Sequence, residues 1–192
     1  MKTVAFFLLL FNSTVQGTGA DWGEVETALK AYVNYPSSEN ANRVTNALPK
    51  EHAPWGESSP SSPASQYIYE GHRFSMLEHQ VGAAHVESVR LAFRLFSISD
   101  GGFTEDLQIV LGKLIRPSPK LFLEELDRSA ISNSYYDGLL MSNGYALVDR
   151  REAQCLEAEN KIEALNSVTD SKLSNIKQTA ISIIEKHRSQ YC

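Results

Sequence analysis

From Pro63 to Asp100 apolar residues recur every three to four positions, and no other stretch of the chain sustains that period for as long. At 100° per residue, Leu77, Val81, Ala84, Leu91, Ala92, Leu95 and Phe96 fall on one arc, widened by Phe74, Val89 and Phe93. His72, His79, Glu87, Arg90 and Arg94 line the opposite side, as a solvated face would. The spacing predicts one amphipathic helix of roughly 30 residues, about 45 Å long. Its apolar arc is too wide for a two-stranded coiled-coil seam, so several neighbours are expected to pack along it.

Shorter helical patterns flank this element. Asp21 with Glu24 resembles a capping box ahead of Val25, Ala28, Leu29, Tyr32 and Val33, and Ser37 or Ser38 can cap a second segment carrying Ala41, Val44, Ala47 and Leu48. Residues 21–48 therefore read as a helical hairpin. From Pro49 to Ser65 four prolines sit among serines, which blocks helix and supplies little to bury, so residues 49–65 read as a loop pinned by Trp55. Residues 66–192 form the main helical body, in one domain with the hairpin.

Within that body Ser99-Asp100-Gly101-Gly102 breaks the long pattern and Thr104 caps a helix carrying Leu107, Val110, Leu111, Leu114 and Ile115. Ser118-Pro119 then starts another, with Leu121, Phe122, Leu123 and Leu126. Asn133 to Gly144 is less regular. Asp149 with Glu152 opens a helix placing Cys155, Ala158, Ile162 and Leu165 on one face, and a last helix aligns Leu173, Ile176, Ala180, Ile183, Ile184 and His187. No stretch alternates with period two, so the fold class is all-α: an irregular helical bundle, or a short HEAT-like α-solenoid built from helical hairpins around the one long helix. Leu29 to Leu48 and Leu111 to Leu126 share an outline of helix, proline, serine cap and helix, as stacked helical repeats would.

Lys2, the apolar run Val4 to Phe11 and the small residues near Gly17 and Ala20 read as a signal peptide over residues 1–20. Eight apolar residues fall short of the roughly 20 that span a bilayer, so no membrane span is expected after cleavage. The chain is then exported, to a periplasmic or extracellular location. Its formal charge of −5, one unit more negative once Lys2 leaves with the leader, argues against nucleic acid as a partner.

Export makes a disulfide between Cys155 and Cys192 permissible. On one continuous helix the pair would lie roughly 55 Å apart, so a bridge needs a hairpin near Val168 and a short tail folding Cys192 back. The alternatives are a buried thiol at Cys155 beside a free terminal thiol, or an intermolecular link through Cys192.

Signatures of chemistry are sparse. His72, His79 and His85 are spaced by seven and six residues, whereas zinc ligands on one helix stand three or four apart, so no metal is expected. The sequence contains neither a Gly-x-Ser-x-Gly elbow nor a phosphate-binding glycine loop, so neither a catalytic residue nor a cofactor is assigned. Tyrosines are numerous, and the cluster Tyr135-Tyr136-Asp137 in the irregular region is the expected binding surface, since tyrosine combines contact area with a polar tip.

The run from Pro119 to Val168, including Phe122-Leu123-Glu124-Glu125-Leu126, Asp137-Gly138-Leu139-Leu140 and Glu159 to Leu165, resembles exported bacterial proteins with a HEAT-like helical fold and no assigned activity. The resemblance implies a helical fold in the bacterial envelope and carries no catalytic residue across. The reading is an exported protein-binding or scaffold module of the cell envelope with a protein partner and no catalysis of its own. The alternative is an envelope hydrolase with acid and histidine residues gathered from separate helices.

Overall fold

Asp21 opens the first helix as expected: its carboxylate accepts from the amides of Gly23 and Glu24 at 3.0 and 3.2 Å. Helix α1 (Trp22–Asn34) ends at Tyr35-Pro36, and the Ser37 hydroxyl accepts from the Asn40 amide to start α2 (Ser38–Ala47). Asn40 Nδ2 donates back to the Tyr35 carbonyl at 2.8 Å, which fixes the turn between them. Val25, Ala28, Leu29 and Tyr32 face Ala41 and Val44 in the core, so the 21–48 hairpin is present. The computed structural model describes residues 21–49, 61–129 and 131–192. The expected signal segment 1–20 and Trp55 lie outside the described residues.

The one long helix is not formed. Its residues divide into α3 (Ser62–Tyr69), α4 (Arg73–Gly82) and α5 (Val86–Phe96). The first break falls at Gly71, whose φ of +64° suits a residue without a Cβ. At the second, the Ala84 amide donates to the Val81 carbonyl and the His85 amide to the Gln80 carbonyl, closing α4 in a Schellman turn. Ala84 holds the left-handed position at φ +57°, where glycine is usual. The residues read as the end of a loop over 49–65 also divide, since Ser62 to Ser65 already belong to α3, with Pro63 in its first turn.

What survives of the organising helix is α5. Seven of its eleven residues are buried, and it packs against α2, α4, α6 and α7, the several neighbours its wide apolar arc requires. Helix α6 (Gly101–Leu114) begins three residues before the cap expected at Thr104; the Thr104 hydroxyl instead lies 3.0 Å from the Ser99 hydroxyl. Pro119 opens α7 (Pro119–Arg128), followed by α8 (Tyr136–Met141), α9 (Arg151–Asn166) and α10 (Ser174–Tyr191). Single 3-10 turns lie at Asn133–Tyr135, Tyr145–Leu147 and Ser171–Leu173. The fold is all-helical, with no strand among the described residues.

Helices α9 and α10 pack as a hairpin, and Cys155 and Cys192 stand at disulfide-bonding distance with Cα atoms 5.8 Å apart. The tail expected to fold Cys192 back is not needed. Helix α10 runs helically to Tyr191, and the turn through Ser167 to Leu173 lets the longer α10 run back along α9 until Cys192 meets Cys155.

Candidate functional site

One cleft has α6 as a wall, supplying Glu105, Gln108 and Ile109. The second wall is the Ser142–Val148 segment after α8, and Gln154 of α9 and His187 of α10 close the end. Its volume is about 380 Å³. The second wall sits close because residue 112 is a glycine: a Cβ there would lie 2.5 Å from the Ser142 carbonyl oxygen and 2.9 Å from that of Leu139. Gly144, at φ +85°, then turns the chain so that Tyr145 stands at the mouth.

The wall is held from behind by a buried lysine. Lys161, 1% exposed, donates to the carbonyls of Leu140 and Ser142 at 2.8 and 3.0 Å and to Asn143 Oδ1 at 2.7 Å. All three ammonium hydrogens are thus used, and the last turn of α8 gains a cation at its C-terminal end. Burial pushes the Lys161 pKa down to about 8, partly opposed by the Glu157 carboxylate.

Aromatic groups rim the cleft. Tyr145 and Val148, 66% and 61% exposed, line it directly, and Tyr191 stacks on His187 with ring centroids 4.4 Å apart. The Tyr145 hydroxyl donates to Asp106 at 2.9 Å, and Tyr69 stands near the same carboxylate. For Tyr145 the hydrogen bond to Asp106, and for Tyr69 the negative charge of Asp106, are the main causes raising the pKa, so both phenols stay protonated. Several polar groups of the lining serve the wall itself. Gln154 Nε2 donates to the carbonyls of Leu147 and Val148, and Asn143 Oδ1 receives Lys161. Glu105, Gln108, Ser142 and His187 form no side-chain hydrogen bond among the described residues, and of these Glu105 and His187 are the titratable groups the cleft offers to a ligand.

The structure divides the expected tyrosine cluster. Tyr135 is 53% exposed and packs edge-on against Phe96, Asp137 is exposed, and Tyr136 is buried. His72 and His79 are exposed, His85 turns Nδ1 inward at the start of α5, and no group of three His, Cys, Asp or Glu residues among the described residues is placed to hold a metal ion. No helix among the described residues is long and apolar enough to cross a membrane.

The face carrying Arg90 and Arg94, read from sequence as solvated, is half-buried against α7. Glu125, 3% exposed, accepts from Arg90 Nη2 at 3.1 Å and from Arg128 Nη1, while Arg90 Nη1 also meets Glu87 at 2.5 Å. The sequence could have shown this through Phe122, Leu123 and Leu126, whose arc places Glu125 on the inward side of α7. Compared with known proteins, the chain matches no protein-family model, no curated protein and no solved structure.

Proposed function

We propose that this protein is an exported helical binding module of the cell envelope that holds a partner protein and catalyses nothing itself. Its recognition surface is the cleft between α6 and the Ser142–Val148 segment, and the occupant is an extended, basic segment of the partner. The observation that carries the reading is the rim: Tyr145 and Val148 are large, exposed and line one cleft, and exposed Tyr191 packs on its His187. Aromatic side chains of this kind supply much of the affinity of protein interfaces. The exposed Glu105 carboxylate and the formal charge of −5 favour a positively charged occupant.

Export is supported by the leader-like first 20 residues and by two cysteines at bonding distance, an arrangement that persists in oxidising compartments. The resemblance of the Pro119 to Val168 run to exported bacterial helical proteins is in keeping with the same reading. The Tyr135-Tyr136-Asp137 turn is a weaker surface for a partner, because Tyr136 packs inward.

Selecting peptides from a random displayed library against the folded, oxidised protein tests the reading. Basic sequences should be enriched, and their binding should fall at least tenfold in Tyr145→Ala and Glu105→Gln, about the loss of one good contact. Enriched peptides that bind both variants as well as the parent would sink it. The hydrolase reading rests on Glu105 and His187 sharing this cleft. Cleavage of bound peptides that disappears in Glu105→Gln and in His187→Ala would put it in place of the binding one.

A further inference from the structure

A second cavity, of about 260 Å³, opens between α2, α5 and α7 and is lined by Arg90, Arg94 and Arg128 with Phe93, Thr45 and Glu125. Three guanidinium groups meet two carboxylates here. Glu125 binds Arg90 and Arg128, and Glu87 binds Arg90 again, which leaves the charge of Arg94 without a counterpart among the described residues. Arg94 Nη1 donates to the Ser97 hydroxyl at 3.0 Å, while Nη2 is buried with no hydrogen-bond partner among the described residues. Desolvation is the cause that lowers its pKa, and no nearby carboxylate opposes it. A buried guanidinium nitrogen with nothing to donate to is rare, and one recurrent reason is a site completed by a ligand.

The hydroxyls around the cavity point elsewhere. Ser97 donates to the Arg94 carbonyl at 2.7 Å, Thr45 to Ala41 at 3.0 Å and Ser129 to Leu126 at 2.7 Å. An anion entering the cavity therefore finds its donors in the guanidinium groups that line it. One unmatched positive charge suits one negative charge; a phosphate dianion would overshoot it. Phe93 gives the cavity an apolar wall for the body of such a ligand.

We infer that this cavity is a binding site for a carboxylate carried on a small aromatic or branched apolar body, with Arg94 as the residue that recognises the carboxylate. The source is either a free small acid or the chain end of a peptide, and both present the same group. The site is separate from the cleft of the α6 wall and does not depend on what that cleft binds.

Titration of the oxidised full chain with 3-phenylpropionate, its neutral amide and inorganic phosphate, followed calorimetrically, tests the assignment. The acid should bind one to one and saturably, with the amide and phosphate each at least roughly tenfold weaker. Arg94→Gln should lose at least about tenfold in affinity for the acid while keeping the parent circular dichroism spectrum. If that variant fails to fold, Arg94→Lys, which keeps the charge and loses the planar fork, should weaken the acid by several-fold. A pentapeptide ending in a free phenylalanine carboxylate, compared with its C-terminal amide, separates the sources: binding tighter than 3-phenylpropionate assigns the site to a chain end, and weaker binding assigns it to a free acid. Acid and amide binding alike, phosphate binding more tightly than the acid, or an undiminished affinity in a folded Arg94→Gln would each overturn the inference.

Discussion

Lys161 places its ammonium 2.8 Å from the carbonyl oxygen of Leu140, and so joins α9 to the end of α8 through a charge with no ion-pair partner in contact among the described residues. The unfolded chain takes up this proton near the ordinary lysine value of 10.5 and the folded chain only near 8, so between those values the unfolded state holds more protons. Stability should therefore climb as pH rises from about 8 to 10.5, by up to about 3 kcal/mol from this group. Urea denaturation at intervals across that window measures the slope. Lys161→Met should flatten it while costing about 2 kcal/mol near neutral pH, because three acceptors lose their donor.

Gly112 is the contact at which α6 and the cleft's second wall touch backbone to backbone. Gly112→Ala should destabilise the protein by up to about 2 kcal/mol, the overpacking cost less the alanine gain in a helix. Denaturation midpoints of the two proteins give the difference. Cleft binding should weaken in the same variant, since the carbonyl that must retreat belongs to Ser142.

The pair Cys155 and Cys192 closes a loop with a sequence separation of 37. Reduction, or Cys155→Ser with Cys192→Ser, should lower stability by up to about 4 kcal/mol through the entropy restored to the unfolded chain. Hydrogen exchange should speed up first in the last two turns of α10, which carry His187 and Tyr191. An unchanged denaturation midpoint on reduction would contradict this.

Ala84 holds a left-handed backbone at φ +57° that costs a residue with a Cβ about 1 to 2 kcal/mol. Ala84→Gly should relieve it, offset by roughly 0.4 to 1 kcal/mol of added freedom in the unfolded chain, for a net gain of about 0.5 to 1 kcal/mol. For a chain of this size that is a melting temperature higher by about 1 to 4 °C, readable by calorimetry.

That alanine also explains where the sequence misled. Period and capping signals found the all-helical class, the Asp21 and Ser37 starts and the buried arc of α5, because each depends on residues close together in the chain. The break after Gly82 has no such signal, since alanine is the best helix former and nothing nearby marks it as left-handed. Gly71 was visible but sat inside an apolar rhythm that continues across it. Lys161 could have been found, standing three residues from Ala158 and four from Leu165 on the inward side of α9, although its charge argued for solvent. The cleft was out of reach, because Glu105, Tyr145, Gln154 and His187 come together only through the packing of α6 on α8 and of α8 and α9 on α10.

With α5 enclosed by helices from both sides of it in the chain, neither the first nor the second part of the protein has a complete interior of its own. A cut at either border of that helix would strand Leu91, Leu95 and Phe96 against water, so the molecule is expected to melt in one step and to tolerate no dissection into independent fragments.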